Sequence, residues 1–286
     1  LGSNDENVTR RQFLASSALI AGYALAAKPV FAAAVRTDES GLATGTASIP
    51  VDGGEMEAYF AAPESAVSPP VALVVHEIFG VHEYIRDVCR RLAKAGYFAI
   101  APDLYRRQGD VSKRGDVDAI VREVVSKVPD AQVLADLDAT LAWLKSEDRG
   151  DPSRAVITGF SWGGRIVWRY CAHAPDLKAG AAWYGRLVGE KRTETPSHPV
   201  DVAQARHAPV LGLYGTEDAG ISLESIREMR SRLAARGAPS EIVLFPGAPH
   251  GFHADYRGSH RPLAASEGWR RMLEWFREHG GAPPPA

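Results

Sequence analysis

One stretch decides how this chain folds: VITGFSWGGRIV, residues 156–167. An apolar run, Ala155-Val156-Ile157-Thr158, leads into Gly159-Phe160-Ser161-Trp162-Gly163-Gly164, and a helix-compatible segment follows. A single serine thus stands between glycines where a buried strand stops. Gly159 to Gly163 matches the G-x-S-x-G pattern that presents a nucleophile, and strand, turn and helix come in the order that gives this short pattern its weight. Such a turn is tight enough to hold the serine in a strained backbone conformation. The positions two before and two after it must therefore lack side chains. The helix that starts there aims free backbone N–H groups and its positive end at the hydroxyl.

Strand and helix patterns alternate on both sides of this turn. VALVVHEI (71–78) is a continuous apolar run, as a strand buried on both faces would be. HEYIRDVCRRLAKAG (82–96) has helical periodicity and ends at a glycine cap, and YFAIAPD (97–103) is the next strand. AQVLADLDATLAWLKSE (131–147) is a helix, RAVITGF (154–160) a strand, and the helix after Ser161 runs to about Ala174. AGAAWYG (179–185), PVLGLYG (209–215) and EIVLFPG (241–247) read as strands, with helices at 222–237 and 262–280. Ahead of them all, TASIPVDGGEMEAYFAAP (46–63) reads as a hairpin turning at Asp52-Gly53-Gly54. The expectation is an α/β fold, a mostly parallel central sheet with helices on both faces, in one domain over 35–286 with a loose tail. Segments 104–130 and 186–208 are long and follow strand ends, where ligands bind in parallel sheets.

A serine nucleophile needs a base, and the base needs an acid to orient it. Asp218 ends Gly215-Thr216-Glu217-Asp218, just past one strand, and His250 follows the last strand in Pro249-His250-Gly251-Phe252. The order Ser161, Asp218, His250 is that of the α/β-hydrolases, each residue lying at a strand's carboxyl end. Glu217 competes with Asp218 for the acid.

His76-Glu77-Ile78-Phe79-Gly80-Val81 and Ala101-Pro102-Asp103-Leu104-Tyr105-Arg106-Arg107, taken with GFSWGGR and PHGF, resemble the dienelactone hydrolase family over roughly residues 50–278. The resemblance implies an α/β-hydrolase with Ser161 as nucleophile, Asp218 as acid and His250 as base. It implies that Glu77 touches the resting nucleophile and helps activate it, and that Arg107, or Arg106, binds a substrate carboxylate. A second such arginine would fall at position 254, which here is Ala254; Arg257 is the nearest substitute. The family's nucleophile is a cysteine. Serine has a far higher pKa, cannot rest as a thiolate and needs His250 to take its proton. Either this is a natural serine esterase on the scaffold, or the serine replaces a cysteine to trap or silence it; the first is the reading carried forward. The expected oxyanion hole is the backbone N–H of Trp162 and of Ile78. Phe79, Trp162, Trp183 and Tyr184 are expected to line an apolar site, with His253 at its rim or on the surface.

The substrate expected is a small-molecule carboxylic ester or lactone, hydrolysed through an acyl-enzyme without metal or cofactor. The alternatives are a hydrolase of thioesters or amides, and a binding protein on an inactive hydrolase scaffold; an intact Ser-Asp-His set argues against the latter. No histidine or cysteine spacing follows a metal motif. The formal net charge is −2 and no basic block is present, so no nucleic-acid partner is expected. Residues 1–34 read as an export signal: Thr9-Arg10-Arg11-Gln12-Phe13-Leu14 resembles the twin-arginine type, an apolar stretch follows, and Ala32-Ala33-Ala34 offers a cleavage site. The mature protein is therefore expected in the periplasm or outside the cell, with no stable membrane association. Cys89 and Cys171, both on predicted helices, are expected to be buried free thiols.

Overall fold

Short apolar runs bounded by turn residues become the strands of a single sheet. The computed structural model describes residues 35–111, 114–205, 208–237 and 239–283. The expected leader, residues 1–34, lies outside them. The strands are β1 (Leu42–Val51), β2 (Gly54–Pro63), β3 (Pro70–Val75), β4 (Phe98–Pro102), β5 (Asp151–Phe160), β6 (Ala179–Trp183), β7 (Val210–Gly215) and β8 (Glu241–Phe245). Their spatial order is β1-β2-β4-β3-β5-β6-β7-β8. The β1–β2 hairpin turns where Asp52-Gly53-Gly54 predicts, and β2 lies antiparallel to β4. All other pairings are parallel. Every residue of β3, β4, β6 and β7 is buried, whereas edge strand β1 alternates between buried and exposed positions. Continuous apolar runs thus mark the inner strands, and alternation marks the edge.

The helices are α1 (Glu83–Lys94), α2 (Val117–Glu123), α3 (Asp130–Ser146), α4 (Trp162–His173), α5 (Pro199–Val202), α6 (Leu223–Arg236) and α7 (Pro262–Glu278). They cover both faces of the sheet, as two residues of β6 illustrate. A Cβ on Gly180 would stand 2.5 Å from Cys171 and 2.8 Å from Val167, both on α4. Trp183, three residues on and therefore on the opposite face, packs against Gly268 of α7, where a Cβ would stand 2.7 Å from the indole. Cys89 and Cys171 are buried free thiols, held protonated by that burial, which pushes both thiols well up.

The segment 104–130 is not one structureless loop. It contains α2, capped by the Asp116 carboxylate on the N–H groups of Asp118 and Ala119, and a 3-10 turn at Val125–Lys127. The segment 186–208 likewise contains α5. Strand β3 ends at Val75 rather than at 78, because the chain turns there: the Gly80 N–H bonds the Glu77 carbonyl at 3.2 Å. Arg165 in the first turn of α4 forms a two-pronged bond, 2.7 Å on each prong, with Asp130 at the start of α3. The helix that begins at the serine is thereby pinned at the end that matters.

Candidate active site

Ser161 sits between β5 and α4 with φ 55° and ψ −110°, a left-handed conformation for a residue with a side chain. Such geometry costs on the order of 1–3 kcal/mol and persists only where the surroundings impose it. The glycines supply that imposition. A Cβ on Gly159 would lie 2.5 Å from the Gly163 carbonyl oxygen, and one on Gly163 would lie 2.4 Å from that of Val75. Backbone therefore crosses backbone at the turn, and the Ser161 N–H is tied to the Trp183 carbonyl at 2.9 Å.

Three side chains from three strand ends meet here. His250 Nε2 lies 2.9 Å from Ser161 Oγ, and His250 Nδ1 lies 2.7 Å from Asp218 Oδ2. The Asp218 side chain is fully buried, while the imidazole keeps 13% of its surface open. A carboxylate on Nδ1 holds the proton there and leaves Nε2 to accept from the hydroxyl. Tyr184, buried and at φ 39°, sets its ring edge-on to His250 with centroids 5.1 Å apart.

Beside this trio lies a buried ion pair. Glu77 Oε2 accepts from Arg257 at 2.8 Å, and Oε1 accepts from His82 Nε2 at 3.0 Å and from the Tyr256 hydroxyl. Arg257 Nε donates in turn to the Tyr256 oxygen at 2.8 Å, and its guanidinium lies over the rings of Phe79 and Tyr256. Burial alone would raise the Glu77 carboxyl, but the Arg257 charge and the His82 and Tyr256 hydrogen bonds outweigh it and bring the pKa down to about 2. Glu77 is a fixed anion.

The Trp162 N–H opens α4 and has no helical carbonyl behind it. The Ile78 N–H takes no backbone acceptor among the described residues. Among the described residues, no group of three His, Cys, Asp or Glu side chains is placed to hold a metal ion, and no helix is long and apolar enough to cross a membrane.

The dienelactone hydrolase family model matches residues 56–280. A "Putative carboxymethylenebutenolidase" of Methylorubrum extorquens is 53% identical over 276 residues, covering 96% of this chain and 94% of that one. A protein of the same description from Escherichia coli K12 is 51% identical over 91% of this chain and 96% of its own. The crystal structure described as a putative dienelactone hydrolase from Klebsiella pneumoniae superposes with a TM-score of 0.81 at 55% identity, over 83% of this chain and 99% of that one. The chain belongs to the dienelactone hydrolase family.

Against the family pattern, several expected residues lie elsewhere. The Ser161 hydroxyl meets His250, and the carboxylate of Glu77 is spent on Arg257, His82 and Tyr256 rather than on the nucleophile. Arg107 is likewise committed. It pairs with Asp136 of α3 and donates to the Asp52 carbonyl at 3.0 Å, bracing the β1–β2 turn. Arg106 is exposed, and its N–H bonds the Asp103 carbonyl. Trp183 belongs to the core, fully buried between Phe160, Phe252 and His253. His253 is no rim residue: it is buried, shares a hydrogen bond of 2.5 Å with the Tyr84 hydroxyl and stacks between Phe160 and Trp269. Burial holds it neutral, well below the usual imidazole range. Phe79 and Trp162 are partly exposed rings.

His76, His82 and Tyr256 were not legible as site residues. Tyr256 adjoins Arg257 in sequence and His82 stands at the N-cap of α1, but neither position by itself signals a partner for Glu77. The bracing role of Arg107 gives a direct test. Arg107→Ala should lower thermal stability by about 1–3 kcal/mol, since it strands a buried carboxylate, yet leave kcat/KM for esters within roughly threefold of the parent. A loss of kcat/KM confined to carboxylate-bearing substrates would return Arg107 to the substrate.

Proposed function

We propose that this dienelactone hydrolase family member hydrolyses carboxylic esters or lactones through Ser161, with His250 as base and Asp218 orienting it. The observation that carries the reading is the unbroken relay Ser161–His250–Asp218, with contacts of 2.9 and 2.7 Å at the carboxyl ends of β5, β8 and β7. In the first half-reaction His250 Nε2 takes the hydroxyl proton as Ser161 Oγ attacks the acyl carbon. The carbonyl oxygen becomes an oxyanion between the N–H groups of Trp162 and Ile78, strengthened by the positive end of α4. The imidazolium, paired with Asp218, passes its proton to the leaving alkoxide, and an acyl-Ser161 ester remains. Water then repeats the sequence, His250 again acting as base, and releases the acid. For a lactone the leaving oxygen stays attached to the acyl group, so ring opening gives one hydroxy-acid product.

Two features favour an oxygen ester over a cysteine-type reaction. The hydroxyl already bonds its base, and Glu77, the carboxylate expected to activate a thiol, has its oxygens filled by three donors. Phe79 and Trp162 offer apolar surface to the acyl or leaving group, and Arg257 stands behind Phe79. The twin-arginine-type segment at Thr9–Leu14 supports action outside the cytoplasm.

Rapid quench of the protein with p-nitrophenyl acetate and with a dienelactone, followed by peptide mass spectrometry, tests the reading. The expected result is turnover of at least one, with a transient acetyl or acyl adduct on the peptide carrying Ser161. Turnover with the adduct elsewhere would sink the mechanism, and no turnover of either would sink the activity.

A further inference from the structure

The buried imidazole of His76 has no part in the relay, yet it touches both halves of the proposed oxyanion hole. Its Nδ1 lies 2.8 Å from the Glu77 carbonyl oxygen, and its Nε2 lies 3.2 Å from the Leu104 N–H. The Leu104 amide can only donate, so Nε2 is the acceptor and Nδ1 carries the proton. Both ring nitrogens are therefore satisfied by a neutral imidazole in one tautomer. Burial agrees with this, bringing its pKa down to about 4. The ring face lies against Trp162 at 5.5 Å and 14°, and Tyr105 closes the edge at 4.5 Å.

The consequence follows from peptide geometry. The Glu77 carbonyl and the Ile78 N–H belong to one planar unit, and no peptide bond among the described residues is cis. In a trans peptide the two groups point in opposite directions within the same plane. Whatever fixes the carbonyl therefore fixes the N–H. The Glu77 carbonyl accepts from His76 Nδ1 at 2.8 Å on one side and from the Gly80 N–H at 3.2 Å on the other. Rotating the peptide to turn the Ile78 N–H from the site would leave a buried Nδ1–H without an acceptor.

We propose that His76 is a positioning residue of the oxyanion hole, holding the Ile78 N–H through the Glu77 carbonyl and packing against Trp162, which carries the second donor. It touches neither substrate nor the reacting atoms. The inference rests on the hydrolase reading above and names the residue that orients the donors of that site. It also separates two parts of Glu77: the carboxylate is held by Arg257, His82 and Tyr256, while the backbone carbonyl is held by His76.

Two polar variants separate this from a general packing role. In His76→Asn the side-chain amide reaches the position of Nδ1 and can still donate to the Glu77 carbonyl. In His76→Gln the amide reaches the position of Nε2 and can still accept from Leu104, but it gives the Glu77 carbonyl nothing. Competent protein in each preparation is counted by end-point titration with a fluorophosphonate, so a misfolded fraction does not enter the rates. With p-nitrophenyl acetate, His76→Asn should keep kcat within roughly fivefold of the parent, and His76→Gln should lose roughly 50-fold, somewhat less than outright removal of one oxyanion donor. KM should move less than about threefold in either, because an aligned donor acts chiefly on the transition state. The Ki of a trifluoromethyl ketone, which forms a tetrahedral adduct on the serine, should rise in His76→Gln by about the same factor as kcat/KM falls. Equal kcat in the two variants, or a loss in His76→Gln without weaker ketone binding, would overturn the inference and leave the hydrolase reading standing. An inactive parent would overturn both.

Discussion

Ser161→Ala should reduce kcat for p-nitrophenyl acetate by about 10⁴-fold or more while leaving a folded protein, because in the proposed mechanism the group removed is the one that forms the covalent bond. The expectation is specific to this geometry. Ser161 is 4% exposed and sits at the N-terminus of α4, and its hydroxyl has His250 Nε2 at 2.9 Å. Without it the proposed oxyanion donors and the apolar surface remain, and such features alone account for the residual rate above water in enzymes of this kind. KM should change little, which separates loss of the nucleophile from loss of the site. Ser161→Cys is the informative companion. A thiol here would have His250 as its base but no help from Glu77, whose oxygens are already bonded. The cysteine variant should therefore not exceed the parent on oxygen esters. A variant clearly faster than the parent would mean that the surroundings are tuned to a thiolate and that serine is the foreign residue. An alanine variant with a tenth of parental activity would mean that another group attacks.

The strand–turn–helix around Ser161 could be read from sequence because its cause is local. Glycines are needed where backbone crosses backbone, and the clashes at Gly159 and Gly163 show the crossing. The continuous apolar runs of β3, β6 and β7 were equally plain, since burial on both faces leaves no polar positions to blur the pattern. Asp218 and His250 could be picked out because each follows such a run directly. The arginines could not be assigned in this way. Arg107 is drawn to Asp136, which is 29 residues away in the chain, and Arg257 to Glu77, which is 180 away. A charged side chain takes its role from the opposite charge the fold brings to it, and that pairing leaves no trace in local spacing. For the same reason sequence puts Trp183 in a pocket wall and His253 at its rim or on the surface: an aromatic ring near a strand's carboxyl end looks alike from sequence whether it faces substrate or another ring. The burial of His253 comes from Phe160 at the end of β5, 93 residues back, and from Trp269 of α7, 16 residues on. Short inserts such as α2 and α5 escaped because four to seven residues are too few to show a helical period.

Glu77→Leu should be the most destabilising single change at the site, lowering stability by about 3–5 kcal/mol, because it removes the carboxylate paired with the buried Arg257 guanidinium. The Arg257 side chain is 4% exposed, and the Tyr256 hydroxyl and Phe79 face beside it carry no negative charge. For a domain of this size the loss corresponds to a fall in melting temperature of roughly 10 °C. Glu77→Leu/Arg257→Leu should recover much of it, since removing a buried pair together leaves neither charge without a partner. The pH dependence has a defined sign. The folded-state pKa of Glu77 is depressed from 4.5 to about 2, so the carboxylate's contribution is complete above pH 4.5 and is lost as pH falls towards 2. A depression of that size is worth about 3 kcal/mol, comparable to the expected cost of the substitution. Thermal melts of parent and Glu77→Leu should therefore lie far apart at neutral pH and converge as the buffer is taken from pH 5 towards pH 2. A gap that stays constant over that range would mean that packing, rather than charge, sets the cost. A single variant as stable as the parent would mean that the buried pair contributes nothing to stability.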